Sequence, residues 1–346
     1  MQQINYMKNI LWFLLSVLVF SCSEPEKKVE TIKIYLEGKA QGTTYHITYF
    51  DKENRNFQSQ IDSILDVIDA SMSTWDSTSI ISKINKADTA VIVDFHFKNV
   101  FYKAHEISKM TDGLFDATVA PLVNAYGFGF KKIESVTGAK IDSLKQLVDY
   151  TKVELKNNKI YFASKGMQID FNAIAQGYSV DVLVDFLKEK GITDLMVELG
   201  GEVKCLGIKD DGSNWKIGID KPEENQTERP LQAILSLENE ALATSGNYRK
   251  FYEFEGKKFA HILNPLTGKP VIHNLLSASV VAEDCMSADA YATAFMIMGH
   301  EKAISFINQH PELNLHVYLI FVNDNGKWET FTSNSLKEKL SEMNEQ

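Results

Sequence analysis

Apolar and polar positions alternate along much of the chain, and stretches of helical spacing interrupt them. Residues 32–36 and 43–50 alternate and are rich in Thr, Tyr and Ile, which predicts two strands joined through Gly38 and Gly42. Within residues 60–72, Ile61, Ile64, Leu65 and Ile68 recur as on one face of a helix. Residues 91–95 read as a strand, and 99–110 as a helix closed by Thr111, Asp112 and Gly113. Residues 115–130 show no period, and 140–147 read as a short helix. The segments 152–156 and 159–162 flank Asn157 and Asn158, a hairpin signature. Residues 167–171 read as a strand that runs into a helix over 176–190, stopped by Gly191. From 195 to 237 the pattern is strand-rich, and 241–244, 259–263 and 276–281 continue it. An apolar helix over 287–298 ends at Gly299, and a second helix over 301–309 follows. Residues 317–322 and 328–331 complete the pattern as a hairpin around 323–326.

Strands dominate, and helices interrupt them without a strand–helix–strand register. That disfavours a doubly wound parallel sheet and predicts an α+β fold with mixed, largely antiparallel sheets and packed helices. No internal repeat is present. One domain is expected over residues 32–335, with 336–346 as a polar C-terminal tail.

The first residues change the picture. Residues 10–20 (ILWFLLSVLVF) are apolar but shorter than the roughly 20 residues a spanning helix needs. They have the length of a signal-peptide core, preceded by Lys8. Val19, Phe20, Ser21 and Cys22 then resemble a bacterial lipobox, with Phe20 bulkier than usual. The expectation is a signal peptide over 1–21, a lipidated Cys22, and a polar tether over 22–31; the alternatives are an ordinary cleaved signal with an incidental Cys22, or an anchor that stays in the membrane. Lipid on Cys22 would anchor the domain to a bacterial membrane on its outer, extracytoplasmic face, the periplasmic side of an inner membrane.

Composition narrows the partners. The net charge is −10, from 36 basic and 46 acidic residues, and no long basic run occurs. Nucleic acid is therefore not an expected partner, because binding it rests on neutralising phosphates. A phosphorylated ligand remains compatible with an acidic protein if a metal bridges the charges. Cys205 and Cys285 carry no pairing signature and read as buried thiols. The patterns GxxxxGK[ST], HExxH, GxSxG and CxxC are all missing, which removes the common nucleotide, zinc-protease and serine-hydrolase readings.

Four stretches carry candidate chemistry. In 287–293 (SADAYAT), Asp289 and Thr293 lie one helical turn apart among alanines. A carboxylate in such surroundings needs compensation, and carboxylate plus hydroxyl suits Mg²⁺. Alternatively, Asp289 is a charge near a helix N-terminus and Thr293 bonds back to a carbonyl. In 169–178 (IDFNAIAQGY) a strand leads into a helix start, which is either an anion site or a structural cap, with Asp170 placed to orient a ligand's polar edge. In 261–268 (HILNPLTG), His261 is either a general base near neutral pH or structural. Residues 112–129 (DGLFDATVAPLVNAYGFG) either clasp a flat heteroaromatic ring or pack on themselves.

Taken in order, these pieces resemble the ApbE-type family of FAD:protein FMN transferases, once labelled thiamine-biosynthesis lipoproteins. The matching residues are 42–45 (GTTY), 72–76 (MSTWD), 82–85 (SKIN), the pieces of 113–129, 170–181, 200–202 (GGE), 244–248 (TSGNY), 261–268 and 288–293. The resemblance implies a T-fold-like architecture. It implies Mg²⁺ held by Asp289, Thr293 and the carbonyl of Ala173, with FAD as the FMN donor. It implies that Gln41, Trp75, Leu114, Phe115, Asp116, Asp170, Gln176 and Ile262 line the FAD site. His261 would take the proton from a Thr or Ser hydroxyl of an acceptor flavoprotein, such as a membrane redox-complex subunit or an FMN-binding domain, and AMP would leave. Three positions depart from the family's habit: Gln41 stands where Met is common, Trp75 where Tyr is common, and Gln176 where a charged residue is frequent. Water in place of the acceptor would give FAD hydrolysis, and a site without chemistry would give a flavin-binding lipoprotein. The residues alone leave these open.

Overall fold

A computed structural model describes residues 31–127, 137–223, 230–247, 251–254, 257–260 and 262–343, with 251–254 and 257–260 described by backbone alone. Eight strands form the central sheet: β1 (Ile32–Ala40), β2 (Thr43–Asp51), β3 (Leu195–Leu199), β4 (Glu202–Leu206), β5 (Ala241–Gly246), β6 (Leu275–Ala282), β7 (His316–Val322) and β8 (Trp328–Thr332). They lie side by side in chain order, and every neighbouring pair is antiparallel. Helices and smaller sheets are insertions into this meander. The expected α+β class, with a large antiparallel sheet, is what the chain adopts.

Local chemistry sets the turns. Gln41 and Gly42 both have positive φ, at 51° and 75°, the two-residue turn that matches strand twist. It pins Ala40 opposite Thr43. Asn157 and Asn158, at 51° and 59°, do the same for the hairpin of Val153–Lys156 and Lys159–Phe162.

One face of the sheet is covered by helices. These are α1 (Gln58–Met72), α2 (Ile80–Asn85), α3 (Phe95–Met110), α4 (Ala120–Ala125), α5 (Gly138–Lys145), α6 (Ala175–Glu189), α7 (Cys285–Met298) and α8 (His300–Gln309). Tyr45, Ile47 and Tyr49 of β2 pack with Ile61 and Leu65 of α1 and with Leu183 and Leu187 of α6. Ala278, Val280, Val317 and Leu319 pack with α3 and α7. Helix α7 is buried nearly all round, as its alanine-rich sequence requires.

The opposite face carries a three-stranded antiparallel sheet of Trp215–Asp220, Leu231–Leu237 and Leu340–Glu342. Period-two alternation serves both faces. Leu242, Val281, Tyr318 and Ile320 point to this second core, and their strand neighbours Ala243, Val280 and Leu319 point to the helices. Cys205 and Cys285 are free, buried thiols.

Three expectations need correction. Residues 91–95 form no strand. Asp94 instead caps α3, accepting from Phe97 N–H at 2.8 Å, so the helix starts at Phe95 rather than near 99. Residues 167–171 form no strand either, although Met167, Ile169 and Phe171 are alternately buried at 3%, 1% and 1%. Their backbone pairs with loops and with the Asn85 side chain instead of a ladder. Within the segment expected to be a polar tail, Leu340–Glu342 pairs with Leu231–Leu237. The segment 1–30, with Cys22, and His261 lie outside the described residues. Among the described residues no helix is long and apolar enough to cross a membrane.

Candidate active site

The candidate residues gather around 168–179, the entry to α6. This segment has no sheet partner, so side chains and loops from four places hold it. Asn85 at the end of α2 donates to Ile169 O and accepts from Ile169 N–H, both at 2.8 Å. Asn124 of α4 donates to Gln168 Oε1 at 3.1 Å. Asp170 N–H donates to Ala117 O at 2.8 Å. Gln41, in the β1–β2 turn, donates through Nε2 to Ser179 Oγ at 2.7 Å, and Ser179 Oγ donates to Ala175 O at 2.8 Å. Motif pieces distant in sequence are thus bonded to one another.

Helix α6 begins after Ile174, whose side chain supplies no cap. The helical ladder opens with Tyr178 N–H donating to Ile174 O, so the Ala173 carbonyl lies before it. Gly177 N–H, a first-turn donor, goes to Asp289 Oδ2 of α7 at 3.1 Å. Helices α6 and α7 cross at this point. A methyl group on Gly177 would stand 2.3 Å from the Cys285 carbonyl oxygen and 2.9 Å from Asp289 Cβ, so only glycine permits the approach.

Asp289 is 6% exposed. Burial pushes its carboxyl up to about 7, against the single opposing effect of the Gly177 hydrogen bond. One turn on, Thr293 Oγ1 lies 3.2 Å from Ser245 Oγ of β5. A buried carboxylate with one neutral donor and a hydroxyl one turn on along the same helix make an all-oxygen set, with the Ala173 carbonyl just before the start of the neighbouring helix. That set fits a hard divalent cation such as Mg²⁺. Among the described residues no group of three or more His, Cys, Asp or Glu offers a competing metal site.

Asp116 is placed differently from a free ligand group. Its Oδ1 accepts from Thr118 N–H at 2.7 Å and Thr118 Oγ1 at 2.6 Å, and its Oδ2 from Tyr150 N–H at 2.9 Å. Burial raises its carboxyl above the usual range, and these bonds oppose the rise. Its carboxylate therefore organises the loop. Phe115 is 4% exposed and belongs to the helical-face core, with Leu114 packed partly buried beside it. Half-buried Asp170 accepts from Asn172 N–H at 2.7 Å and Asn172 Nδ2 at 3.2 Å, and burial raises its carboxyl too. Gln176 lies beside the β3–β4 turn, its Nε2 3.0 Å from where a Gly200 methyl would sit. Trp75 is 67% exposed on the loop between α1 and α2.

Ile262 is buried, and its carbonyl accepts from Val271 N–H at 3.1 Å. The turn it opens is docked by Tyr126 OH, which donates to Gly268 O at 3.1 Å. Leu266 lies 3.5 Å from where a Gly113 methyl would be. The segment following His261 is thus fixed against the 113–126 loop.

Sequence reading left Asp181, Lys204 and Ser245 without roles. Asp181 accepts from Cys285 N–H at 3.0 Å and Met286 N–H at 2.9 Å, and pairs with Lys204 Nζ at 2.7 Å. Asp181 and Ser245 fall within the matched motif pieces, but nothing in their spacing shows the contacts they make.

The match to a family model spans residues 41–317 and is to the ApbE family. The FAD:protein FMN transferase of Vibrio cholerae is 33% identical over 97% of this chain and all of that protein. That of Haemophilus influenzae is 35% identical over 91% of this chain and 94% of its own length. Among solved structures, the flavin transferase ApbE from Vibrio cholerae superposes with a TM-score of 0.79 at 30% identity, covering 89% of this chain and 99% of that one. The ApbE protein from Thermotoga maritima gives 0.77 at 26%, covering 89% and 99%. The antiparallel meander with its α6–α7 crossing therefore belongs to a flavin-transferase type of fold. This chain is a member of the ApbE family.

Proposed function

We propose that this chain is an FAD:protein FMN transferase, which passes the FMN moiety of FAD to a Thr or Ser hydroxyl of an acceptor protein and releases AMP. The observation that carries this reading is the α6–α7 crossing. There a buried carboxylate and a hydroxyl share a helix face, and the carboxylate accepts from the first turn of the neighbouring helix.

Asp289, the Thr293 hydroxyl and the Ala173 carbonyl would hold Mg²⁺. When bound, Mg²⁺ supplies Lewis-acid polarisation of the pyrophosphate and offsets charge on the leaving nucleotide. The start of α6 would turn its positive dipole end toward the same phosphates. Trp75 offers an exposed ring for stacking on the flavin. The 113–126 loop and the turn after Ile262, docked on each other, would enclose the ligand. Gln41 and Gln176 border the helix entry as neutral donors. His261 is assigned the base that takes the acceptor hydroxyl's proton. Cys22 is assigned the lipid anchor, which would place the domain at the outer face of a bacterial inner membrane, near membrane redox-complex subunits or FMN-binding domains as acceptors.

The test is direct. The purified chain is incubated with FAD, Mg²⁺ and an acceptor fragment bearing the target Thr or Ser, and the products are weighed. The fragment should gain the mass of FMN and become fluorescent, and Asp289→Ala should abolish both. Equal labelling from FMN alone, or in EDTA, sinks the proposal. AMP release that exceeds protein-bound flavin would assign the chemistry to hydrolysis instead.

A further inference from the structure

Helices α6 and α7 exchange side-chain caps. Asp289 of α7 takes the Gly177 N–H of α6, and Asp181 of α6 takes the N–H groups of Cys285 and Met286, the first two residues of α7. The two clamps lie one turn apart on each helix, and the first of them is made at the close Gly177 contact. They fix the axial position of α7 along α6, and with it the placement of Asp289 and Thr293. Lys204, from β4, closes on Asp181, and the two side chains are each 14% exposed.

We propose that Asp181 is a positioning residue, which sets the carboxylate of Asp289 for divalent-cation binding by capping the start of α7. The inference rests on the Mg²⁺ reading given above. Asp181 touches neither Asp289 nor Thr293 and is no ligand itself. It acts through the helix that carries them. Two carboxylate oxygens satisfy two adjacent N–H donors. An Asn of the same size can satisfy one, and its NH₂ then faces the other. Burial raises the Asp181 carboxyl above its usual range, and Lys204 and the Cys285 N–H oppose the rise.

Mg²⁺ alone is titrated calorimetrically into the wild-type chain, Asp181→Asn, Lys204→Met, the double variant and Asp289→Ala, with melting in EDTA measured alongside. Asp181→Asn should weaken Mg²⁺ by about 10- to 100-fold, the usual scale for residues that orient a ligand from behind. Lys204→Met removes the ion pair but not the Asp181 side chain, so its Mg²⁺ affinity should stay above that of Asp181→Asn. The double variant has the wild-type net charge and no unpaired buried lysine, so it stays informative if Asp181→Asn folds poorly. It should remain as weak as the single Asn variant. Wild-type affinity in the double variant would mean that charge balance alone matters, and overturns the proposal. A lower melting temperature with unchanged Mg²⁺ affinity overturns it as well, since that is all a purely structural pair would do. Equal binding by wild type and Asp289→Ala would remove the metal site itself, a separate failure.

Discussion

At the scale of single residues, the chemistry depends on Asp289 being ionised where burial disfavours the charge. Its folded-state value of about 7 lies above the ordinary carboxylate range. In metal-free protein, the stability linked to this group is present below that ordinary range and is lost as pH rises through about 7. Bound Mg²⁺ should reverse the balance by favouring the carboxylate. In EDTA, therefore, raising the pH from 5 to 8 should lower the melting temperature of wild type more than that of Asp289→Asn. Saturating Mg²⁺ should erase the difference. Parallel melting curves for the two proteins in EDTA at every pH would refute this. Gly177 makes a separate prediction. Ala at this position meets a backbone carbonyl, which cannot move aside as a flexible side chain would. Overpacking of this kind costs about 1–3 kcal/mol. Gly177→Ala should both lower the denaturation midpoint and weaken Mg²⁺, because the shift needed falls on the helix pair that carries Asp289. An unchanged Mg²⁺ titration with a lowered midpoint would separate the crossing from the site.

At the scale of elements, sequence periodicity recovered most strands and helices because burial really follows it. Ile61, Leu65 and Ile68 are buried on α1, and the Asn157–Asn158 hairpin forms where the turn residues put it. The failures have one physical origin. Alternation reports which side chains are buried, and is silent on what the backbone bonds to. Met167, Ile169 and Phe171 alternate as a strand would, yet the neighbouring N–H and carbonyl groups are met by Asn85 and Ala117. Val91 and Val93 mimicked a strand next to Asp94, whose cap was the stronger local signal. Asp94 also accepts from Ser71 Oγ at 2.9 Å, which ties α1 to α3. Asp94→Ala should cost about 1 kcal/mol for the cap, and somewhat more for the lost tie. Urea unfolding monitored by tryptophan fluorescence reads this directly, and a change within error would show the cap to be redundant. The site was legible to the same degree. The helical spacing of Asp289 and Thr293 marked them out. Gly177, Asp181 and Ser245, which place them, are contacts between distant segments that no local pattern encodes.

At the scale of the whole molecule, the sheet separates two jobs. Its helical face carries Asp289, Thr293 and the α6 entry, and its other face packs against three strands that touch none of them. The third of those strands comes from the chain's last residues, and its hold is specific. Leu340 pairs with Leu235, Glu342 accepts from Tyr318 OH at 2.9 Å, and Lys339 Nζ meets Glu240 at 2.6 Å. Removing residues 338–346 leaves buried Leu336 in place but strips one edge from the small sheet. Tolerance of truncation follows from the backbone bonds and burial lost, not from closeness to the terminus. The truncated chain should unfold at lower denaturant, because the Leu231–Leu237 strand loses one of its two partners. Its Mg²⁺ affinity and flavin transfer per folded molecule should match the full chain, because nothing it loses reaches the α6–α7 crossing except through the intact central sheet. Transfer that falls while the denaturation midpoint holds would show that the second face takes part in the chemistry, and that the central sheet transmits between the two layers.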